Sequence, residues 1–124
     1  MVIIWQRIEG LVVFAAALAV YINANDSFAW WLAVIIFFSP DLSFLGYLVS
    51  KSAGAHLYNL THIYGLGAAI AAAGFMTRCE AAAMLGLLLI AHCGFDRALG
   101  YGLKHRNGFH KTHLGTIGKA RDAS

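Results

Sequence analysis

Four long apolar runs, separated by short polar breaks, make up most of the chain. They lie at about 5–24, 28–49, 55–76 and 81–103, and each approaches the roughly 20 residues that a helix needs to cross a bilayer. Breaks this short favour antiparallel neighbours, and an open sheet is excluded because its unpaired edges would face hydrocarbon. The pattern therefore predicts an all-α polytopic membrane protein, with residues 1–103 forming an antiparallel bundle of four transmembrane helices.

The composition supports a membrane protein. Only 12% of the 124 residues are charged and 60% are hydrophobic, whereas a soluble domain carries about 25% charged residues. So few polar groups cannot cover a surface that faces water. We therefore expect membrane lipids as partners and no nucleic acid, and a homo-oligomer or a larger membrane complex is compatible with this pattern.

Basic residues predict how the chain is oriented. Arg7, Lys51 and the basic tail at 104–124 fall on one side of the predicted bundle, and Arg78 lies on the other. The positive-inside rule then places both termini in the cytoplasm. We expect a multi-pass protein of the inner (plasma) membrane, with 104–124 as a cytoplasmic tail that can fold back as a cap and includes His113.

Ionisable residues inside the apolar runs are the candidates for chemistry, because such groups are costly in a membrane and usually functional. A helix rises about 1.5 Å per residue, which gives the depth of each ionisable residue in the membrane. By this measure the ionisable residues of all four predicted helices lie in one layer of the cytoplasmic half of the bilayer. This shared depth is the most informative feature of the sequence. The residues are Glu9, Asp41, His62, His92, Asp96 and Arg97.

Their spacing places several of them on common helix faces. His92 and Asp96 are four residues apart and share a face of the fourth helix, and Asn59 and His62 share a face of the third. Pro40 removes a backbone donor immediately before Asp41, so we expect the second helix to bend there and turn the carboxylate inward.

One interpretation is a metal-dependent membrane hydrolase that acts on a lipid-like or amphiphilic substrate. Two imidazoles and two carboxylates could bind a divalent ion such as zinc, manganese or iron, which could activate water. The ligands would be Asp41, His62, His92 and Asp96. Glu9 would act as the base or support a ligand, Arg97 would bind an anion, and the supporting residues would be His56, Tyr58, Asn59, Tyr101 and His113.

Two other interpretations remain open at the level of sequence. In the first, Glu9 pairs with Arg97 and His92 donates to Asp96, so that the polar layer only holds the helices together in an accessory subunit of a larger complex. In the second, His62 and His92 are the axial ligands of a haem.

Several motifs carry a resemblance that runs through nearly the whole chain. They include Pro40-Asp41-Leu42-Ser43, Tyr58-Asn59-Leu60 with His62, and the run from Ala91 to Gly102. In these residues the chain resembles the small bacterial membrane proteins of domain-of-unknown-function family 4260, which implies the membrane class and topology but no activity.

A weaker local similarity is to membrane-bound metal-dependent hydrolases of the LexA-binding inner-membrane type. Pro40-Asp41-Leu42 and the His92-x-x-x-Asp96 spacing match pieces of that pattern. Ser43 and Phe44 stand where that pattern has Asp and His, so the similarity does not imply a two-metal site.

Overall fold

The computed structural model describes residues 1–101 in full, and the backbone alone at 104–105, 108–112 and 115–116. Residues 1–101 are helical, as predicted, but they form more helices than there are apolar runs. The helices are α1 (Val2–Ala24), α2 (Trp30–Phe38), a 3₁₀ helix (Ser39–Leu48), α3 (Lys51–Thr61), α4 (Tyr64–Thr77) and α5 (Glu80–Leu99).

Within the part of the chain that the structure describes, three helices are long and apolar enough to cross a membrane. They are Val2–Ala24, Glu80–Leu99, and Trp30–Leu48 when α2 and the 3₁₀ helix are taken together. A fourth crossing requires that α3 and α4, which are bent by 42° relative to each other, act as one span. The predicted four-helix bundle therefore stays a prediction, while the membrane-compatible helices are observed.

α5 lies at the centre of the molecule and is the most buried of the long helices. Arg7 near the start of α1 donates to Ala98 O near the end of α5, and Glu80 at the start of α5 accepts from Asp26 N beyond the end of α1. α1 and α5 are thus antiparallel. Glycines let the two backbones approach closely, since a Cβ on Gly94 would lie 2.7 Å from Gly10 O.

The second apolar run changes helix type at Ser39, directly before Pro40. Proline cannot donate to the preceding turn, and ten residues of 3₁₀ helix follow, a length that is uncommon. Because a 3₁₀ helix repeats every three residues, Pro40, Ser43 and Gly46 form one buried ridge. A second ridge is exposed, and we call it the leucine ridge: Leu42, Leu45 and Leu48.

The third apolar run is broken, so the prediction of one continuous helix at 55–76 was wrong. α3 ends at Thr61, His62 has φ −111° and ψ 12°, and α4 begins at Tyr64. The Tyr58 carbonyl accepts from His62 N at 3.0 Å and from Thr61 Oγ1 at 3.0 Å, and it lies 2.8 Å from His62 Nδ1. Such local side-chain bonds compete with the helical pattern.

Three short strands follow α5: β1 (Lys104–His105), β2 (Gly108–Thr112) and β3 (Gly115–Thr116). They form an antiparallel sheet in the order β1-β2-β3, and the backbones of β1 and β2 lie beside α3. His113 lies outside the described residues. The division into a bundle at 1–103 and a capping tail at 104–124 stays a prediction.

A candidate metal centre

Four side chains from three separate elements converge beside the break between α3 and α4. Asp41 comes from the first turn of the 3₁₀ helix, His62 follows α3, and His92 and Asp96 lie one turn apart on α5. One ligand atom from each of the four lies within 4.8 Å of every other. The structure thus brings together all four predicted ligands, and we call them the His₂Asp₂ cluster.

The closest contacts in the cluster involve the Nε2 atoms of the two histidines. These two atoms are 3.1 Å apart. His62 Nε2 lies 3.4 Å from Asp41 Oδ1 and 3.2 Å from Asp96 Oδ2. His92 Nε2 lies 3.3 Å and 3.2 Å from the same two oxygens. Two nitrogens and two oxygens therefore surround a common point.

Protons alone cannot satisfy all of these contacts. Each Nε2 atom carries either one hydrogen or one lone pair, yet each faces the other nitrogen and two carboxylate oxygens. Moreover, His62 Nδ1 lies 2.8 Å from the Tyr58 carbonyl, which can only accept, so Nδ1 holds the hydrogen. In a neutral His62 ring, Nε2 then directs its lone pair into the cluster. A cation at the centre would satisfy every contact at once.

Five of the six ligand-to-ligand distances in the cluster are close to those of a tetrahedral metal site. Zinc–nitrogen and zinc–oxygen bonds of about 2.0–2.1 Å give ligand-to-ligand distances of about 3.3 Å in a regular tetrahedron. The nitrogen–nitrogen distance and the four nitrogen–oxygen distances run from 3.1 to 3.4 Å, and the Asp41 and Asp96 oxygens lie within 4.8 Å of each other. The donor set of imidazole and carboxylate suits zinc, manganese or iron.

The His62 ring is held on its face as well as at its Nδ1 atom. Tyr58, one turn earlier, stacks on it with ring centroids 3.7 Å apart and planes 11° apart. Phe44 of the 3₁₀ helix also stacks on Tyr58, with ring centroids 5.2 Å apart and planes 27° apart. This column joins the 3₁₀ helix to α3 and fixes the plane of a ligand ring, which is the usual task of residues around a metal site.

His92 lies in an aromatic shell. The ring centroids of Phe37 and Phe38 are 5.3 Å and 6.4 Å from that of His92, and Phe37 also contacts Phe95 and Phe14. His92 Nδ1 is buried and has no hydrogen-bond partner among the described residues. The shell keeps this side of the cluster dry, so its polar contacts are electrostatically strong.

The four side chains differ sharply in their exposure. His62 and His92 are 0% and 1% exposed, Asp96 is 11% exposed and Asp41 is 42% exposed. Three members of the cluster are therefore enclosed by protein. Asp41 is the member through which the cluster is accessible from outside the protein.

Arg97 is buried against the break rather than directed toward a substrate. Its Nη2 donates to His62 O at 2.9 Å and its Nη1 to Tyr101 O at 3.1 Å. Its guanidinium carbon also lies 5.8 Å from the centroid of the Tyr64 ring. These bonds tie the residue that ends α3 to the end of α5, so the geometry favours a positioning role over the expected anion binding.

Glu9 is not part of the cluster. It is exposed on α1, and among residues 1–101 it forms no ion pair with Arg97, in contrast to the structural network considered from the sequence. Of the supporting residues, His56 is exposed, Asn59 is half-buried, and Tyr101 contributes a backbone carbonyl.

Sequence reasoning missed Thr61, Phe37 and Phe38. Thr61 Oγ1 lies 3.0 Å from His62 Nδ1 and also contacts the Pro40 carbonyl at 3.4 Å. A threonine beside a candidate ligand is a weak signal that could have been noted. Phenylalanine is so common in membrane helices that no feature of the pattern distinguished these two rings.

Comparison with known proteins identifies one family. A family model described as "Domain of unknown function (DUF4260)" matches residues 3–117. No curated protein matches the chain, and no solved structure matches it.

Proposed function

Since the chain belongs to the DUF4260 family, whose function is unknown, we propose a function from the geometry of the His₂Asp₂ cluster: a metal-dependent membrane hydrolase that acts on an amphiphilic substrate. The observation that carries this proposal is the convergence of two imidazole nitrogens and two carboxylate oxygens within 4.8 Å of one another. The membrane-compatible helices around the cluster support an amphiphile as substrate.

Zinc is the ion that we assign to the cluster, because imidazole and carboxylate are among its usual ligands and its protein sites usually have four ligand positions. Such an ion polarises a phosphoryl or acyl oxygen and lowers the pKa of a coordinated water molecule, so that hydrolysis can proceed at neutral pH. His62, His92 and Asp96, the three enclosed residues, would hold it permanently. Residues Tyr58 and Arg97 would position His62.

A second candidate is an accessory subunit of a larger membrane complex, in which the metal ion has only a structural role. The near-complete burial of His62, His92 and Asp96 favours it, since structural zinc sites have four protein ligands and no open position. In this case the ion would only fix the break between α3 and α4 against α5, and the protein would act through a partner in the membrane.

The haem interpretation is the least compatible with the geometry. Axial imidazoles on opposite sides of one iron place their nitrogens about 4 Å apart, twice a typical metal–nitrogen bond, with a porphyrin between them. His62 Nε2 and His92 Nε2 are 3.1 Å apart and two carboxylate oxygens lie beside them. No space for a porphyrin remains between the rings.

The metal content of the detergent-purified protein, measured by elemental analysis, tests the first part of the proposal. We expect about one transition-metal ion per chain and its loss from the His62→Ala and His92→Ala variants. His56→Ala is the matched control, because His56 lies on α3 but is exposed and outside the cluster. Wild-type protein without bound metal, also after incubation with zinc, manganese or iron, would refute the proposal.

Hydrolysis of amphiphilic phosphoesters and carboxylic esters tests the second part. We expect turnover by the metal-loaded protein, none after chelation, and none in a folded His92→Ala variant. Metal that is retained at one equivalent without turnover of any of these esters would instead support the accessory subunit.

A further inference from the structure

We infer that Asp41 is the exchangeable ligand of the His₂Asp₂ cluster, and that an oxyanion head group of the substrate takes its place. This inference rests on the proposed function and deepens it, because it names the entry point and the chemical class of the ligand. It also assigns to Asp41 the role of base that the sequence suggested for Glu9.

The first argument is the contrast between Asp41 and the other three side chains. Asp41 is 42% exposed, whereas His62, His92 and Asp96 are 0%, 1% and 11% exposed. His92 and Asp96 lie within α5, and His62 is fixed by Tyr58. A ligand can leave a tetrahedral ion without disturbing the core only where there is space beside it, and the structure provides that space at Asp41.

The second argument is the element that carries Asp41. The 3₁₀ helix has poorer hydrogen-bond geometry than an α-helix, and long stretches of it are typical of functional hinges. Asp41 lies in its first turn, where α2 ends at Phe38. A small rotation there can withdraw one carboxylate while α5 stays in place.

The surroundings of Asp41 indicate where the incoming ligand comes from. A partly exposed carboxylate cannot face hydrocarbon at acceptable cost, so its open side must face water or lipid head groups. The adjacent leucine ridge is 62–83% exposed and suits an acyl chain. Together they favour an amphiphile that presents its head group at the cluster and keeps its chain in the membrane.

The charge balance selects an anionic head group. A divalent ion with Asp41 and Asp96 as ligands is neutral overall, and when Asp41 withdraws, the centre keeps one net positive charge. A singly charged oxyanion, such as the monoanion of a phosphate monoester, restores neutrality and supplies the hard oxygen ligand that the withdrawn carboxylate provided.

The withdrawn Asp41 is then in place to act as the base. It would take one proton from a water molecule whose oxygen bonds to the phosphorus. The bond from phosphorus to the ester oxygen breaks, and that oxygen receives the proton from Asp41. One water is consumed, and no oxidant or further reactant is needed.

Cobalt(II)-loaded protein tests the inference by its visible absorption spectrum, which reports coordination directly. We expect inorganic phosphate to change the spectrum of the wild type, and phosphatidic acid in phosphatidylcholine bilayers to change it at lower concentration. We expect Asp41→Ala to keep about one cobalt ion per chain with affinity reduced by less than ~100-fold, whereas His62→Ala loses the ion. Asp26→Ala, a change of an exposed aspartate at the other end of the molecule, is the control.

The outcomes separate this inference from the proposed function. If the wild type binds cobalt but neither phosphate source alters its spectrum, Asp41 is a fixed ligand and the inference is wrong, while the metal centre stands. If Asp41→Ala loses cobalt as completely as His62→Ala does, Asp41 is likewise a fixed ligand and the inference is wrong. A response to inorganic phosphate but not to the lipid would overturn the amphiphile as the source. If the wild type binds no metal, the proposed function itself is wrong.

Discussion

The Nε2 atoms of His62 and His92 lie 3.1 Å apart, although 30 residues separate the two histidines in the chain. Neither helix alone could produce this contact. α3 must stop at Thr61 for the His62 ring to turn toward α5, and α5 must continue through His92 so that Asp96 follows one turn later. The break in the third apolar run and the candidate metal centre are therefore one feature of the fold.

Metal binding should stabilise the fold, because the ligands come from three separate elements. Zinc at about 100 times its dissociation constant should raise the free energy of unfolding by about 2.7 kcal/mol. The gain should decrease as the pH falls, since protons compete with the ion for imidazole and carboxylate groups. Denaturation followed by circular dichroism, with zinc or with chelator, measures this, and an equal gain in His62→Ala would contradict it.

Replacement of Arg97 should weaken both the fold and the metal centre. Arg97→Met removes two charge-assisted bonds and leaves the buried His62 carbonyl without this donor, which should cost about 2–4 kcal/mol of unfolding free energy. Metal affinity should fall about 10- to 100-fold because His62 loses its positioning. Competition with a metal indicator measures the affinity.

Arg7→Met is the matched control for this prediction. Arg7 also donates to a carbonyl near the end of α5, but its bond to Ala98 is exposed, so we expect a loss of about 1 kcal/mol or less. Unchanged metal affinity in Arg97→Met would show that the arginine does not position His62.

The contact between α4 and α5 should tolerate no added volume at Gly86. A Cβ there would overlap the backbone of Ala71 and lie 2.6 Å from Gly67 O. Gly86→Ala should therefore destabilise the protein by about 1–3 kcal/mol through overpacking. In Gly65→Ala the new Cβ meets only Ile63 Cδ1 at 3.9 Å, and we expect a gain of about 0.5–1 kcal/mol. Thermal denaturation in one detergent compares the two, and equal effects would argue against close packing of these helices.

The predicted orientation can be tested with the native cysteines. Cys79, between α4 and α5, is exposed, and Cys93 is buried. If both termini are cytoplasmic, a membrane-impermeant maleimide should label Cys79 in intact cells, and Cys79→Ser should abolish the labelling. In the Cys79→Ser background, Ser124→Cys should be labelled only after permeabilisation. The reverse labelling pattern would show that both termini lie outside the cytoplasm and that the predicted orientation is wrong.

The sequence alone predicted the membrane-compatible helices and the four residues that meet in the His₂Asp₂ cluster. Apolar runs of bilayer length and a shortage of charge are local properties, so they indicate membrane helices without any knowledge of packing. Ionisable residues are rare in such runs, so each one can be recognised from the sequence as a candidate for a functional site. For that reason Asp41, His62, His92 and Asp96 could be selected as one group, and the i, i+4 spacing of His92 and Asp96 correctly predicted a shared face.

The tertiary structure decided which polar residues meet. Sequence position gives the depth of a residue along a helix, but not the direction in which it faces the neighbouring helices. Glu9 has a suitable depth yet is exposed on α1, and Arg97 is bound to two carbonyls. The break at His62 arises from competition for the Tyr58 carbonyl, and the 3₁₀ helix after Pro40 is stabilised by packing against α3. Such choices depend on contacts between residues distant in the chain, which hydrophobic periodicity does not encode.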